Sequence, residues 1–326
     1  MAESSMAASS GPDEPAGADN GPALTRDEFD ALFDRLRRWG EQTEPDQRGA
    51  LAGLDDAQRL RALAAARTGT TIGLAHPIDK QVGPDNNKPA LHHMVDLGDI
   101  EAPEPSAHKD FIGLDYHGKA TSHLDAVCHI GYRGQIYGGV SSRDAFTSAG
   151  SNWAAVTTMS AGLVLCGVLV DMPAVLGVPW LPPGTALRAG DIERAEDRLG
   201  FRIGAADAVL LRSGHGARKA AMGPWNADGA SAGLHVDAMP LLADRGIALL
   251  GGDGDSDVRP SPVAGVHSPI HALALTALGI PLLDNLALEE LAAACAATGR
   301  YEFLLVVAPL VIPRGTGSPV NPLAVL

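Results

Sequence analysis

The apolar run Leu163-Val-Leu-Cys-Gly-Val-Leu-Val170 is the stretch of this sequence that decides the fold class. Eight uncharged, mostly aliphatic and β-branched residues predict a buried β-strand. Runs of the same kind, separated by Gly, Pro and Asp, predict four further strands, at Thr71–Leu74, Ala208–Arg212, Ile247–Leu250 and Glu302–Val311. The chain from residue 71 onward is therefore expected to contain a β-sheet.

Segments with helical periodicity lie among these strands. They predict helices over Asp191–Arg198, Val236–Arg245, Pro269–Leu278 and Leu288–Ala297, with Asp191 and Ser268 as N-caps. Strands and helices mix without strict alternation. The sequence therefore predicts a mixed α/β domain over residues 71–326, and not a barrel of repeated βα units.

The N-terminal region has a different composition. Residues 1–22 are rich in Ala, Ser, Gly, Asp and Pro without an apolar period, which predicts a disordered tail. Thr25-Arg-Asp-Glu28 predicts a capping box at the start of an amphipathic helix that runs to about Trp39. A second helix is expected from Asp56 to Arg67. Residues 23–70 are thus predicted to form a helical extension ahead of the main domain.

Charge and cysteine content exclude several classes of partner and compartment. The 326 residues carry a net charge of −14, which disfavours nucleic acid and anionic membrane surfaces as partners. Cys128, Cys166 and Cys295 have no paired spacing, so no disulfide framework is expected, and the last two are predicted to be small buried side chains. Since the sequence also has neither a signal-peptide pattern nor an uncharged apolar run of ~18 residues, we expect a cytoplasmic protein.

The candidate chemistry is concentrated between His117 and His129. The segment His117-Gly-Lys-Ala-Thr-Ser-His123-Leu-Asp125-Ala-Val-Cys-His129 holds three imidazoles and a carboxylate, the donors that a borderline divalent ion prefers. On an extended segment His123 and Asp125 point to the same side. If a helix begins near Asp125, His129 lies one turn further on, close enough to act on water at a metal.

Other polar residues have simpler interpretations. His76, His92, His93 and His108 are predicted to be structural, because a lone histidine is more often a satisfied core or surface residue than a ligand. Asp253, Asp255 and Asp257 are predicted to form a turn and an N-cap in preference to a metal site. Tyr132, Tyr137 and Trp153 fit a substrate-pocket wall and core packing equally well. A thiol nucleophile at Cys128 is disfavoured, since neighbouring residues on a helix or strand point apart.

The motif Thr121-Ser-His-Leu-Asp-Ala-Val-Cys-His129, followed by Tyr132-Arg-Gly-Gln-Ile-Tyr137-Gly-Gly, resembles the metal motif His-x-Gly-Thr-His-x-Asp-x-x-x-His of the cyclase family. That family includes bacterial kynurenine formamidases and isatin hydrolases. Val209–Gly214, Arg245–Asp253, His271–Asn285 and Phe303–Pro322 resemble later family blocks in the same order, so the resemblance covers about residues 70–326. It implies a swivelling β/β/α fold and a homodimer or homotetramer.

The resemblance also implies a site. His123 and Asp125 match metal ligands for zinc or manganese, and His129 matches the general acid/base. His271 matches a later histidine of the metal centre, and Asp284 stands where the family usually has Glu. The family's first ligand aligns with Lys119, and His117, two residues earlier, is the candidate to replace it.

The leading functional hypothesis is a metal-dependent hydrolase that cleaves an amide, lactam or lactone of a small metabolite, aromatic ones included, with His129 as the general base. Two alternatives remain open. One is a catalytically idle member that binds a ligand or serves as a structural subunit, which Lys119 and Asp284 favour. The other is a metal-dependent cyclase or dehydratase that uses the same acid/base without net attack by water.

Overall fold

The computed structural model describes residues 23–40, 46–97 and 104–326. The predicted disordered tail, residues 1–22, lies outside the described residues. In chain order the helices are α1 (Arg26–Leu36), α2 (Asp56–Ala65), α3 (Ser142–Ala145), α4 (Met172–Leu176), α5 (Ala189–Leu199), α6 (His215–Met222), α7 (Ala238–Arg245), α8 (Pro269–His271) and α9 (Glu289–Thr298). Short 3₁₀ turns and one π-helix, Ala272–Leu278, complete the helical part of the described chain.

The strands are short apart from one long central strand. In chain order they are β1 (Thr71–Gly73), β2 (Leu91–Asp96), β3 (Lys109–Gly113), β4 (His123–Asp125), β5 (Phe146–Thr147), β6 (Gly150–Ser151), β7 (Leu163–Asp171), β8 (Ala186–Leu187), β9 (Ala208–Arg212), β10 (Gly233–Leu234), β11 (Leu249–Gly252), β12 (Leu282–Asp284), β13 (Glu302–Val307), β14 (Gly317–Pro319) and β15 (Leu323–Val325).

Nine of these strands form one mixed sheet in the order β1-β15-β13-β7-β9-β11-β12-β4-β14. The four central strands β7, β9, β11 and β12 run parallel to one another. The strands on either side, including β13 beside β7 and β4 beside β12, pair antiparallel. This confirms the predicted mixed α/β class, and it places the short strand β4 between β12 and the C-terminal strand β14.

The core lies on both faces of the central strands. Every residue of β7 except Val164 is buried, as expected for a strand covered on both sides. The N-terminal helix α1 belongs to the same core, because Phe29 and Phe33 are almost fully buried and their rings contact Tyr132. The predicted division of the chain at residue 70 stays a prediction.

The five predicted strands are all present, four of them with shifted ends. The predicted strand Ile247–Leu250 begins two residues later, at Leu249. The predicted strand Glu302–Val311 ends at Val307, two residues before Pro309, which has no N–H to donate to the sheet.

The helix ends and caps differ more from the sequence predictions. The first two helices end at Leu36 and Ala65, short of the predicted ends, because Arg37 and Ala66 leave the helical conformation with ψ of 125°. Asp191 is not an N-cap. The N-cap of α5 is Arg188, and the Asp191 carboxylate accepts a hydrogen bond of 2.9 Å from its backbone N–H.

Two further predictions concern cysteine and the membrane. All three cysteines are buried and free, as predicted for Cys166 and Cys295. None of the described helices combines the length and the apolar character needed to cross a bilayer. The cellular compartment stays a prediction.

Candidate metal centre

Strand β4 brings two of the predicted ligands together. His123 and Asp125 are two residues apart on the strand, so both side chains lie on the same face of the sheet, and both are buried. His123 Nε2 lies 3.5 Å from Asp125 Oδ1. The pairing of β4 with β12 brings a third predicted ligand to the same place, because Asp284 at the end of β12 is the direct partner of His123.

His271 reaches the same carboxylate from a helical turn. Its Nε2 lies 3.7 Å from Asp125 Oδ2 and 3.3 Å from Asp284 Oδ2. The turn is held in place by Asp257, which accepts hydrogen bonds from the backbone N–H of Ile270 and from the N–H and Nδ1 of His271. Asp125 therefore lies between two groups of ligands and offers one oxygen to each.

His117 and His129 complete the cluster from the loops on either side of β4. His117 Nδ1 lies 2.8 Å from Asp125 Oδ1, and the His117 ring stacks on that of His129 with centroids 3.9 Å apart. His129 Nε2 is further from the carboxylate, at 4.0 Å. No helix begins near Asp125, and a turn closed by a hydrogen bond from His129 N–H to the Ala126 carbonyl instead brings His129 back towards the cluster.

Asp125 shows the strongest sign that a cation fits here. Its side chain is 1% exposed, and neither carboxylate oxygen has a hydrogen-bond partner. His117 Nδ1 is likewise without a hydrogen-bond partner, although it lies close to Asp125 Oδ1. Buried polar atoms without partners are costly, and lone pairs directed at one another fit a shared cation. The predicted ligands form two triads suited to a metal, and both triads include Asp125. One is His117, His123 and Asp125, and the other is Asp125, His271 and Asp284.

The second nitrogen of each imidazole is already engaged in a way that suits metal binding. His123 Nδ1 donates to the Thr121 carbonyl at 2.9 Å, and His271 Nδ1 donates to the Asp257 carboxylate at 2.6 Å. In the neutral imidazole, each interaction places the proton on Nδ1 and leaves Nε2, which faces Asp125, as the acceptor nitrogen. Partners of this kind fix the tautomer and the ring orientation of a metal-binding histidine. His117 Nε2 contacts Thr316 Oγ1 at 2.9 Å, so its Nδ1 faces the carboxylate.

The charges of the cluster shift several pKa values. Burial acts to raise the pKa of Asp125, but the neighbouring His129, His123 and His117 lower it by more than burial raises it. The net pKa lies below the ordinary value, so the carboxylate is ionised. Burial lowers the pKa of His129 to about 4, against the opposing effect of Asp125. His129 is therefore neutral at pH 7 and able to accept a proton. Burial lowers the pKa of His271, yet Asp255, Asp257 and Asp284 raise it well above the ordinary value.

Asp255 is the site residue that the sequence analysis missed. Its Oδ1 lies 3.5 Å from His271 Nε2, and its Oδ2 accepts hydrogen bonds from Lys119 and from Arg259. The two other aspartates are not N-caps, because Gly214 is the N-cap of α6 and Ser268 that of α8, as predicted for Ser268. Their carboxylates instead accept backbone N–H groups at these helix starts, Asp253 from Gly214 and His215 and Asp257 from Ile270. No local signal distinguished Asp255 from its neighbours, because the loop around it bends and its partner Lys119 lies 136 positions away.

Lys119 does not take the place of the missing first ligand. Its ammonium group is bound to the Asp255 carboxylate and lies 3.6 Å from Asp228. His117 is instead the residue that reaches Asp125. The six predicted site residues thus meet around one carboxylate, and their individual roles stay predictions.

The aromatic residues near the motif lie in the core and not at the cluster. The Tyr132 hydroxyl donates to Asp30, and the Trp153 indole donates to the Tyr137 carbonyl. None of the three is among the described residues that line the cavity at the metal centre. Burial raises the pKa of the Cys128 thiol to about 11, which agrees with the prediction that it is not a nucleophile.

A cavity of about 400 Å³ opens onto the cluster. His117, His123, Asp125, His129, His271 and Asp284 all line it. The structural histidines predicted from the sequence, His76, His92, His93 and His108, are absent from its described lining. The cavity is of the size that takes a small molecule.

Comparison with known proteins agrees with this geometry. The family model named Cyclase, described as "Putative cyclase", matches residues 72–256, more than half of the chain. The chain belongs to the cyclase family. The crystal structure of a novel cyclase is similar over 90% of this chain and 99% of its own, with 27% identity and a TM-score of 0.79. This match confirms the expected fold class.

Two isatin hydrolases share the cyclase fold at lower similarity. Isatin hydrolase A from Ralstonia solanacearum has 21% identity and a TM-score of 0.55, with coverage of 87% of this chain and 99% of its own. Isatin hydrolase A from Labrenzia aggregata, bound to benzyl benzoate, has 22% identity and a TM-score of 0.56, with coverage of 82% and 97%. No curated protein matches the sequence significantly.

Proposed function

We propose that this cyclase-family protein is a metal-dependent hydrolase that cleaves the amide, lactam or lactone bond of a small molecule. The observation that carries the proposal is the buried Asp125 carboxylate, which has no hydrogen-bond partner on either oxygen and has four histidines around it. The names of the isatin hydrolases with the same fold point to the same kind of reaction.

The residues that would hold a cation are His117, His123 and Asp125 on one side, and Asp125, His271 and Asp284 on the other. Mixed imidazole and carboxylate donors favour zinc or manganese. Bound to these ligands, a divalent cation supplies Lewis-acid chemistry, because it lowers the pKa of water and polarises a carbonyl group. The ligand nitrogens of His117, His123 and His271 lie 2.8 to 3.7 Å from the Asp125 oxygens, which suits ligand bonds of about 2.0–2.2 Å.

His129 carries the proton in the proposed reaction. Its low pKa keeps the imidazole neutral at pH 7, and it lies at the cavity wall beside the ligands. It accepts the proton of the attacking water and returns it to the leaving nitrogen or oxygen, so the products are an acid and an amine or alcohol. The stacked His117 ring and Asp125 hold the imidazole in position.

Two variants test this proposal. His123→Ala is expected to lose the metal, whereas His129→Ala is expected to keep it and lose turnover by a factor of about 10²–10⁴. Metal content is measured by elemental analysis after dialysis against zinc or manganese, and turnover by a screen of N-formyl, lactam and lactone compounds. Loss of metal in both variants, or full activity in the second, would contradict the role proposed for His129.

The alternatives are separated by simple measurements. The alternative of a catalytically idle protein rested partly on Lys119, which stands where the family has its first ligand. That support is weaker because His117 lies 2.8 Å from Asp125 and can take the place of this ligand. Purified protein without metal and without affinity for zinc or manganese would support the idle alternative. A cyclase or dehydratase would be recognised by product mass, because hydrolysis adds one water.

We also propose that the chain forms a homodimer or homotetramer. The hairpin of β2 and β3 supports this, because Leu91, Val95, Phe111 and Ile112 each expose about half or more of their surface. A two-stranded hairpin with uncovered apolar side chains is poorly stable alone in water. Light scattering is expected to give the mass of two or four chains, and Phe111→Glu is expected to reduce it.

A further inference from the structure

The outer wall of the cavity has a chemical character different from its metal-binding floor. Beyond the ligand cluster, the lining is mostly polar and includes the amides, carboxylates and ammonium group of Asn87, Lys88, Asp115, Asn226 and Asp228. Four of these residues belong to two loops on opposite sides of the motif in the sequence, near positions 84–88 and 226–228, and Asp115 lies just before the motif. A molecule whose carbonyl group reaches the metal centre must therefore place its remaining groups against polar side chains.

The apolar part of this lining is small. Pro84, Ala120 and Ile130 are the apolar residues among the described lining, and its only rings besides that of Pro84 are imidazoles, with no Phe, Tyr or Trp among them. Trp225, which is next to Asn226, is occupied by His215 at 4.3 Å between centroids and by the Arg218 guanidinium at 4.2 Å. The Trp225 ring is thus used in packing, and a flat apolar substrate would find no Phe, Tyr or Trp ring among the described lining residues.

The charges of the wall are arranged in pairs. Lys88 Nζ lies 2.6 Å from Asp115, and Lys119 Nζ lies 3.6 Å from Asp228. The side chains of Lys88 and Asp228 are 69% and 59% exposed, so these pairs are weak and can exchange partners. Hydroxyl, ammonium or carboxylate groups of a substrate can replace one member of a pair. An aromatic ring would remove water from these charges and offer no replacement hydrogen bond.

We infer that the substrate is a hydrophilic acyl compound: an amide, lactam or lactone whose carbon skeleton carries hydroxyl or charged groups and no aromatic ring. This inference rests on the proposed hydrolase function, and it narrows the substrate to one class. The metal centre selects the scissile carbonyl group, and the polar wall selects what is attached to it.

Matched pairs of compounds test the inference. For lactones the pair is glucono-1,5-lactone and dihydrocoumarin, and for amides it is N-formyl-L-serine and N-formyl-L-phenylalanine. With zinc- or manganese-loaded protein, kcat/KM is expected to be at least tenfold higher for the hydrophilic member of each pair. Equal rates or a preference for the aromatic member would overturn the inference while leaving the hydrolase proposal intact.

Binding of products gives an answer that does not depend on turnover. Gluconate is expected to bind the metal-loaded protein at least tenfold more tightly than 3-(2-hydroxyphenyl)propanoate in calorimetric titrations. If no compound is hydrolysed, the hydrolase proposal fails, and the two titrations still decide the character of the pocket. Equal or tighter binding of the aromatic acid would overturn the inference.

A variant of the wall gives a matched comparison. Asp228→Leu places an aliphatic side chain at the wall and is expected to reduce the preference for gluconate over the aromatic acid at least fivefold. Asp197→Leu is the control. Asp197 is an exposed residue of α5 that pairs with Arg202, and it is not among the residues that line the cavity. An unchanged preference in Asp228→Leu, or an equal change in both variants, would contradict the assignment of the wall.

Discussion

Replacing Asp125 by asparagine tests the role of this residue with the smallest change of shape. The substitution keeps the volume of the side chain and removes the negative charge shared by the two ligand triads. At a free cation concentration one hundred times Kd, a bound cation stabilises the folded protein by about 2.7 kcal/mol. For 326 residues the entropy of unfolding is roughly 0.7 kcal/mol/K, so the melting temperature should rise by about 4 °C.

The assay is thermal unfolding followed by circular dichroism, with chelator and then with excess zinc or manganese. We expect a rise of about 4 °C for the native protein and none for Asp125→Asn. Asp228→Asn, at the cavity wall, is the control and should keep the rise, because it belongs to neither ligand triad. The reasoning would be refuted by an Asp125→Asn protein of native spectrum whose melting temperature still rises by about 4 °C with the cation.

Three further predictions concern charge, packing and pH. Lys119→Met removes a positive charge near the ligands and should tighten zinc binding about tenfold in titrations, whereas unchanged or weaker affinity would count against this electrostatic effect. Gly167→Ala places a methyl group 2.3 Å from a ring carbon of Phe303 and should lower the free energy of unfolding, measured in urea, by about 1–3 kcal/mol. Gly190→Ala is the control, because its methyl group lies in open space on α5 and should not lower that free energy. Burial lowers the pKa of His215 to about 4, so the unfolded chain takes up a proton that the folded chain cannot. Through this residue the free energy of unfolding should fall by about 1.4 kcal/mol per pH unit from pH 6.5 towards 4. His215→Gln should flatten that slope in urea unfolding at pH 5 and 7, and an unaltered slope would contradict the cause.

The sequence predicted the strands of the sheet because uninterrupted apolar runs have few alternative structures. Ala208–Arg212 was predicted to the residue. Helix ends were less accurate, since Arg37 and Ala66 carry no signal that they leave the helix. The two-residue spacing of His123 and Asp125 predicted their common face correctly, because alternation is a local property of a strand.

What the sequence could not provide is the part of the site that depends on long-range contacts. Asp255 looked like one of three turn residues, and its place beside His271 depends on how the loop after β11 folds against α8. The partner of Lys119 was equally hidden, because Asp255 lies 136 positions away. For the Tyr132 ring the sequence left two roles open, a substrate-pocket wall and core packing. Its contacts with Phe29 and Phe33 show that it packs in the core.

The pairing of β4 with β14 has a consequence for how the protein matures. The hydroxyl of Thr316 that contacts His117 belongs to a residue 199 positions further along the chain. Contacts between such distant segments form late and slowly during folding. A nascent polypeptide on the ribosome would thus lack a finished coordination pocket until translation had passed this segment.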